Sequence, residues 1–468
     1  MKVLLFFTIA VVLLSRQITF LTDIPAPVYI VFGGWVVFSL MFRLGRRHTI
    51  KLNRFDFAVL GLMTIPLLFL SIRELVIWPE FYVPFRQSVV ATILYMMFFS
   101  GYAAMRFAPV AIGDGWFAFW GFVAVAVLNM GVVYLQEVNL IGQFATHQDL
   151  IGGKISIHLY DYDASWGIFR TRNQGLFAFW HASGIAGVLL VGAYWGLYPY
   201  ANSVPKALIL IFALLAAVGG IYLTGSRGSI AILVITMISL ICWKTVLVVL
   251  GISTTQWGQK TARNIAVLFS IIILSIIIVT TNVLDIFLST FTSTNPLGEF
   301  GFSRRIAGSL RSLSFILGED VLNALLGWGM GVGGVGQSRG VSVLPANTID
   351  IFGIGLLSDL GLVGFTAYIL LFCSLFFYVQ RAYRIMIPYL SGADRQFINI
   401  LTKFVQFGLF VGLISIFIHG FFVFKAYHGI AFLFLGLLAN FYEQLEHRLR
   451  VMPFLPENLT GKTPMAGR

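Results

Sequence analysis

Residues 207–223 read ALILIFALLAAVGGIYL, and TGSRGS follows at 224–229 before a second apolar run begins. An unbroken run of this kind is not a barrel strand, in which apolar and polar residues alternate over roughly ten positions. It reads as a helix that crosses a bilayer, because a span needs about 20 mostly apolar residues and must satisfy its own backbone hydrogen bonds. The run at 265–279 (IAVLFSIIILSIIIV) reads the same way. Working outward, similar stretches fall at 3–22, 27–42, 56–72, 88–104, 116–136, 176–196, 206–224, 229–250, 264–284, 355–379, 398–419 and 426–443. The pattern predicts an all-α polytopic membrane protein with about 12 transmembrane helices.

Composition agrees. Charged residues make up 11% of the chain and apolar ones 58%, whereas a soluble protein carries about 25% charged residues. The apolar excess runs the whole length, so residues 1–468 read as a single transmembrane domain. Lys2 and the following apolar run resemble a signal peptide. Arg16, however, stands where a cleavage site would need small residues, so an uncleaved first helix is expected.

The net charge of +12 is first a topology signal. Arg43, Arg46, Arg47, Lys51 and Arg54 follow the second span; Lys244, Lys260 and Arg263 flank the loop after the eighth. Arg381, Arg384 and Arg395 fill the loop after the tenth, and Arg448, Arg450, Lys462 and Arg468 mark the tail. With twelve spans these all share a side with Lys2, and basic loops face the cytoplasm. Both termini are therefore expected there, with 444–468 as a cytoplasmic tail. No loop combines a long basic run with aromatics, so nucleic acid is not an expected partner. Cys242 and Cys373 lie in apolar runs and read as buried small hydrophobes; their spacing suits no zinc site.

Two loops on the other face are long, at 138–175 and 285–350, and long loops in compact domains are usually functional or disordered. The segment 303–317 (SRRIAGSLRSLSFIL) suits a short helix lying at the membrane interface. Arginines gather on this face against the basic-inside bias. They are Arg170 and Arg172 before the sixth span, Arg227 in the TGSRGS break, and Arg304, Arg305, Arg311 and Arg339 in the second long loop. Each can anchor a lipid headgroup or cap a helix. Together they suit an anion, since guanidinium groups bind phosphate bidentately and stay charged. A helix beginning after Arg227 would also direct free N–H groups at an anion.

Residues 327–336 (GWGMGVGGVG) contain a literal GxGxxG, but no strand precedes it, so it reads as a flexible or closely packed turn rather than a dinucleotide site. Asp350 is a candidate acceptor of a proton from a substrate hydroxyl, and equally a helix cap. The histidines near this face, His147, His158, His181, His419 and His428, read as structural.

Four stretches give the chain a family likeness: Arg170-Thr-Arg-Asn-Gln-Gly175-Leu-Phe, Leu223-Thr-Gly-Ser-Arg-Gly228, Arg304–Arg311 followed by Leu326-Gly-Trp-Gly-Met-Gly331, and Leu356-Leu-Ser-Asp-Leu-Gly-Leu-Val-Gly364. In order and spacing, over roughly residues 165–380, they resemble the O-antigen ligase and polysaccharide polymerase superfamily. The resemblance implies a GT-C-like membrane glycosyltransferase in a bacterial inner membrane. Such an enzyme takes glycan from undecaprenyl diphosphate on the periplasmic face and transfers it to an acceptor glycan or another acceptor hydroxyl. It implies no metal and no cofactor. Other polysaccharide assembly proteins are the expected neighbours. Carried over by position, Arg227, Arg172 or Arg170, and one of Arg304, Arg305 and Arg311 would hold the diphosphate. Family ligases carry a His-Asn pair before the late acidic signature. Here the stretch reads Asn347-Thr-Ile-Asp350, so Asp350 with Asn347 takes that place, and the departure favours a polymerase over a ligase.

The chemistry is coherent without the likeness. A lipid diphosphate is already an activated leaving group, so the protein need only position two substrates and neutralise developing charge. A lipid-linked-glycan transporter or flippase is the alternative from another class. It would place ionisable groups and broken helices near the bilayer midplane, and the spans read as nearly free of charge there.

Overall fold

The computed structural model describes residues 1–22, 27–45, 51–72, 85–97, 99–141, 160–163, 168–171, 175–177, 180–249, 302–318, 320–333, 352–418 and 421–451. They form α1 (Lys2–Thr22), α2 (Pro27–Gly45), α3 (Arg54–Phe69), α4 (Phe85–Met97), α5 (Ser100–Arg106), α6 (Ile112–Glu137), β1 (Tyr160–Asp163), β2 (Ile168–Thr171), α7 (Trp180–Leu197), α8 (Val204–Leu223) and α9 (Arg227–Val249). Beyond these come α10 (Phe302–Gly318), α11 (Val321–Leu326), α12 (Phe352–Met386), α13 (Gly392–Ile418) and α14 (Phe421–Val451). Helices overlie every expected span except 264–284, which lies outside the described residues. Among the described residues, 6 helices are long and apolar enough to cross a membrane, or up to 7 if the bent pair α4 and α5 is one span. The chain is a multi-pass helical membrane protein.

The helices sort into a centre and a rim. In α13, 83% of the apolar window is buried inside the protein, against 28% in α8, so α13 is a central column and α8 a peripheral one. Phenylalanine fills the centre: Phe404 of α13 meets Phe434 of α14 edge to face at 5.0 Å, and Phe122 of α6 closes on Phe404 at 5.2 Å. Small residues let α5 and α14 approach closely. A Cβ at Gly436 would stand 2.5 Å from the Tyr102 carbonyl, and one at Gly101 2.7 Å from that of Gly429. On the rim, Phe57, Leu60, Leu68, Ile209, Phe212, Leu370 and Phe377 are exposed. In water such a belt would drive aggregation; in a bilayer it is the lipid-facing surface. The cysteine expectation is corrected in the same terms. Cys242 is exposed and Cys373 half-buried, neither forms a disulfide, and in spans of this kind lipid rather than protein covers them.

One end of the bundle is held by charge. Asn53 and Asp56 cap α3 reciprocally: the Asn53 side chain accepts from the Phe55 and Asp56 N–H groups, and the Asp56 carboxylate accepts from the Asn53 N–H at 2.7 Å. The same carboxylate takes Arg106, fully buried at the end of α5, in a two-pronged pair at 2.7 and 2.8 Å. It also accepts from the Tyr102 hydroxyl at 2.6 Å. Arg106 further donates to Glu443 of α14 and to the Lys51 carbonyl, and Arg43 of α2 reaches Glu443 at 3.4 Å. Charges buried this deeply persist only when fully paired. The network ties α2, α3, α5 and α14 together at what is here termed the basic end.

Within the first long segment, residues 160–163 and 168–171 pair antiparallel as β1 and β2. The described part of 285–350 comprises α10, α11 and the turn at 327–333. Asp359, near the start of the expected 355–379 span, is fully buried within α12.

Candidate functional site

Helix α6 leaves the basic end beside Val110 and Ala111 and runs 26 residues, about 39 Å at 1.5 Å per residue. Its far end therefore lies at the opposite face, and the likeness-bearing stretches assemble there in two pairs.

The first pair joins the 170–177 stretch to the TGSRGS turn. Gly175 has φ +62°, and a Cβ on it would stand 2.3 Å from Asn129 Oδ1, so glycine is required on both counts. Two amides of α6, two helical turns apart on one face, hold this segment. Gln136 accepts the Gly175 N–H at 2.8 Å, and Asn129 Oδ1 accepts the Leu176 N–H at 2.7 Å. Asn129 Oδ1 also accepts from the Ser183 hydroxyl of α7 at 3.2 Å, while its buried Nδ2 has no hydrogen-bond partner. Three residues on from Phe177, α7 begins, and its His181 Nδ1 is 2.8 Å from the Ser226 hydroxyl.

Ser226 sits in the turn between α8 and α9. Gly225 takes φ +68°, Thr224 accepts the Ser226 N–H, and Ser226 Oγ lies 2.7 Å from Ser229 Oγ. Thr224, Ser226 and Ser229 are all fully buried. Gly184 of α7 admits this cluster, since a Cβ there would stand 2.4 Å from Ser229 Oγ. Arg227 is the first residue of α9, where the positive end of the helix dipole favours an anion.

The second pair joins the 326–331 turn to the late acidic signature. Helix α12 breaks at Gly361 (φ 61°, ψ −176°), which leaves carbonyls of the preceding turn without a helical partner. The Trp328 N–H fills one of them, bonding the Ser358 carbonyl at 2.8 Å. Asp359 completes the join: its carboxylate accepts the Gly333 N–H at 2.6 Å and the Tyr95 hydroxyl of α4 at 2.7 Å. Backbones meet directly, since a Cβ at Gly361 would lie 2.3 Å from the Gly327 nitrogen and 2.4 Å from the Leu325 carbonyl. The glycine-rich stretch is thus a closely packed turn. Helix α10 lies over it, with Phe315 stacked on Trp328 at 4.7 Å and Ile316 buried against Trp328 and Val332.

Among the expected site residues, Arg227 opens α9, Arg305 and Arg311 lie on α10, and Arg170 lies on β2 opposite Asp161. Arg311 is exposed; the side chains of Arg170, Arg227 and Arg305 are outside what the structure describes. Arg172, Asn347 and Asp350 lie outside the described residues altogether. Among the described residues no group of three or more His, Cys, Asp and Glu comes together as a metal site. Sequence reasoning passed over Asn129 and Gln136, and took Ser226 and Asp359 only as members of their stretches. The signal for the first two was present, as amides recurring on one face of an otherwise apolar helix.

Compared with protein-family models and with curated proteins, the chain matches none of either. The functional reading therefore rests on these residues.

Proposed function

We propose that the chain is a membrane glycosyltransferase that takes glycan from undecaprenyl diphosphate and extends an acceptor glycan, as a polysaccharide polymerase. The proposal includes a twelve-span GT-C-like bundle in a bacterial inner membrane, both termini in the cytoplasm, and the two likeness-bearing pairs on the periplasmic face. The observation that carries it is the Thr224–Ser229 turn. Its serines are buried, tied to each other and to His181, and they set Arg227 as the first residue of α9. A turn that merely reversed the chain would need neither the arginine nor the buried hydroxyls. Gly175 and Leu176, which follow Arg170 and Arg172 in sequence, are held to α6, and the proposal brings the arginines of the two segments to one place. On this reading they neutralise charge as the diphosphate leaves, and Asp350 with Asn347 activates the acceptor hydroxyl.

A transporter of lipid-linked glycan is the second reading, favoured by one observation: a buried carboxylate, Asp359, beside a helix break at Gly361. Against it, Asp359 is already committed to Tyr95 and Gly333.

The test is the glycan profile of a strain lacking the gene, complemented with wild type or Arg227→Ala. Loss of long chains, with single repeat units still transferred, is the polymerase result. Full-length chains retained on the lipid carrier would instead mean a ligase. An unchanged profile on deletion would remove the enzyme reading for that glycan.

A further inference from the structure

We propose that the basic end carries a second anion site, a cleft that binds a phosphate group. It is independent of the glycosyltransferase reading. The cleft holds about 1030 Å³ between α2, α3, α12 and α14. Lys51, Arg54, Arg381 and Arg448 line it, and all four are exposed with no ion-pair partner among the described residues. The lining carboxylates are Glu443 and Glu446, and Glu443 is taken by Arg43 and Arg106.

Positive charge alone is ordinary at a face of this kind, but three features exceed it. The first is concavity: the cations surround a cavity instead of decorating a loop. The second is rigidity. Arg54 opens α3, whose start is fixed by the Asn53–Asp56 capping box, and Asp56 is in turn clamped by Arg106. Asn440 and Gln444 fix the adjoining wall by donating to the Met105, Ala108 and Val110 carbonyls. The third is an orphan donor. Asn53, which lines the cleft, uses its oxygen to cap α3, while its Nδ2 is buried without a hydrogen-bond partner. A buried N–H donor left unpaired is costly, and an oxyanion satisfies it.

Guanidinium groups and an amide N–H around one concavity suit phosphate oxygens. The apolar walls, including Phe42, Phe55 and Tyr378, suit a phosphate carried on a lipid. A lipid headgroup and a soluble phosphate share this chemistry, and the experiment separates them.

The full-length protein in detergent is titrated with phosphatidylglycerol, phosphatidylcholine and inorganic pyrophosphate, with binding read by native mass spectrometry. Wild type is expected to prefer phosphatidylglycerol to phosphatidylcholine. Arg54→Gln combined with Arg381→Gln should weaken phosphatidylglycerol at least about tenfold, since both remove charge-assisted bonds to the phosphate. Arg384→Gln, an exposed cation on α12 outside the cleft, should leave it unchanged. Both altered arginines are exposed, so unliganded melting should match wild type and exclude misfolding. Pyrophosphate bound with the same sensitivity to the double substitution would keep the site and make its ligand soluble. Equal affinity in wild type and double variant, or equal weakening by Arg384→Gln, would overturn the proposal.

Discussion

At the basic end Arg106, Asp56 and Glu443 meet as buried charges; at the opposite end Gly327 and Gly361 meet as bare backbone. The two ends solve one problem differently. Each must close helices together where the bilayer gives way to water, without leaving polar groups unpaired. The first does so with full charges and side-chain reach. The second removes side chains, breaks a helix, and lets main-chain groups and one carboxylate satisfy each other. A charge network depends on keeping its partners. A glycine contact depends on keeping its space. The proposed chemistry lies at the end built on space.

Breaking the charged end should have the largest effect. Asp56→Ala leaves Arg106 buried beside Glu443 alone and removes the reciprocal cap of α3, for an expected loss of about 3–5 kcal/mol. A thermal melt in detergent would read it. Replacing Asp56 and Arg106 together by leucine should recover most of that loss, because no uncompensated charge remains; failure to recover would mean the network matters for more than pairing. At the other end, Gly361→Ala places a Cβ against the Gly327 nitrogen and the Leu325 carbonyl at a left-handed position. Overpacking costs about 1–3 kcal/mol, and the left-handed conformation about 1–2 more. A melt unchanged from wild type would mean this contact does not hold α12 to the 327–333 turn.

Smaller effects sharpen the contrast. Tyr95→Phe deprives the Asp359 carboxylate of one of its donors and should cost about 1–3 kcal/mol. Its signature should be local, with protease cutting in the 327–333 turn before global unfolding. Gly131→Ala, on the part of α6 where an added Cβ meets nothing within 4 Å, should stay within about 1 kcal/mol of wild type. A large loss there would show that an unseen partner covers that face.

Much of the architecture was legible in sequence because a span is a local property: about 20 apolar residues declare it without reference to the rest of the chain. The glycine-rich 327–336 stretch read as a flexible or closely packed turn, and its described part, 327–333, is closely packed. What it contacts was not legible, since Gly361 and Asp359 lie on another helix. Arg106 was invisible as a buried residue. In sequence it is one more basic residue after a span, and its carboxylate partners stand 50 and 337 positions away. The site was half legible. The TGSRGS turn announced itself, while Asn129, Gln136 and His181 became meaningful once folding set them against Gly175, Ser183 and Ser226. Hydrogen-bond pairing between helices leaves almost no local trace in composition.

The most direct test of the central claim is reconstitution. Purified wild-type protein and Arg227→Ala are incubated with undecaprenyl-diphosphate-linked repeat unit, and the lipid-linked products are sized. The account predicts chains longer than one repeat from wild type and none above background from Arg227→Ala, with equal melting temperatures. Chain growth by Arg227→Ala at the wild-type rate would contradict it.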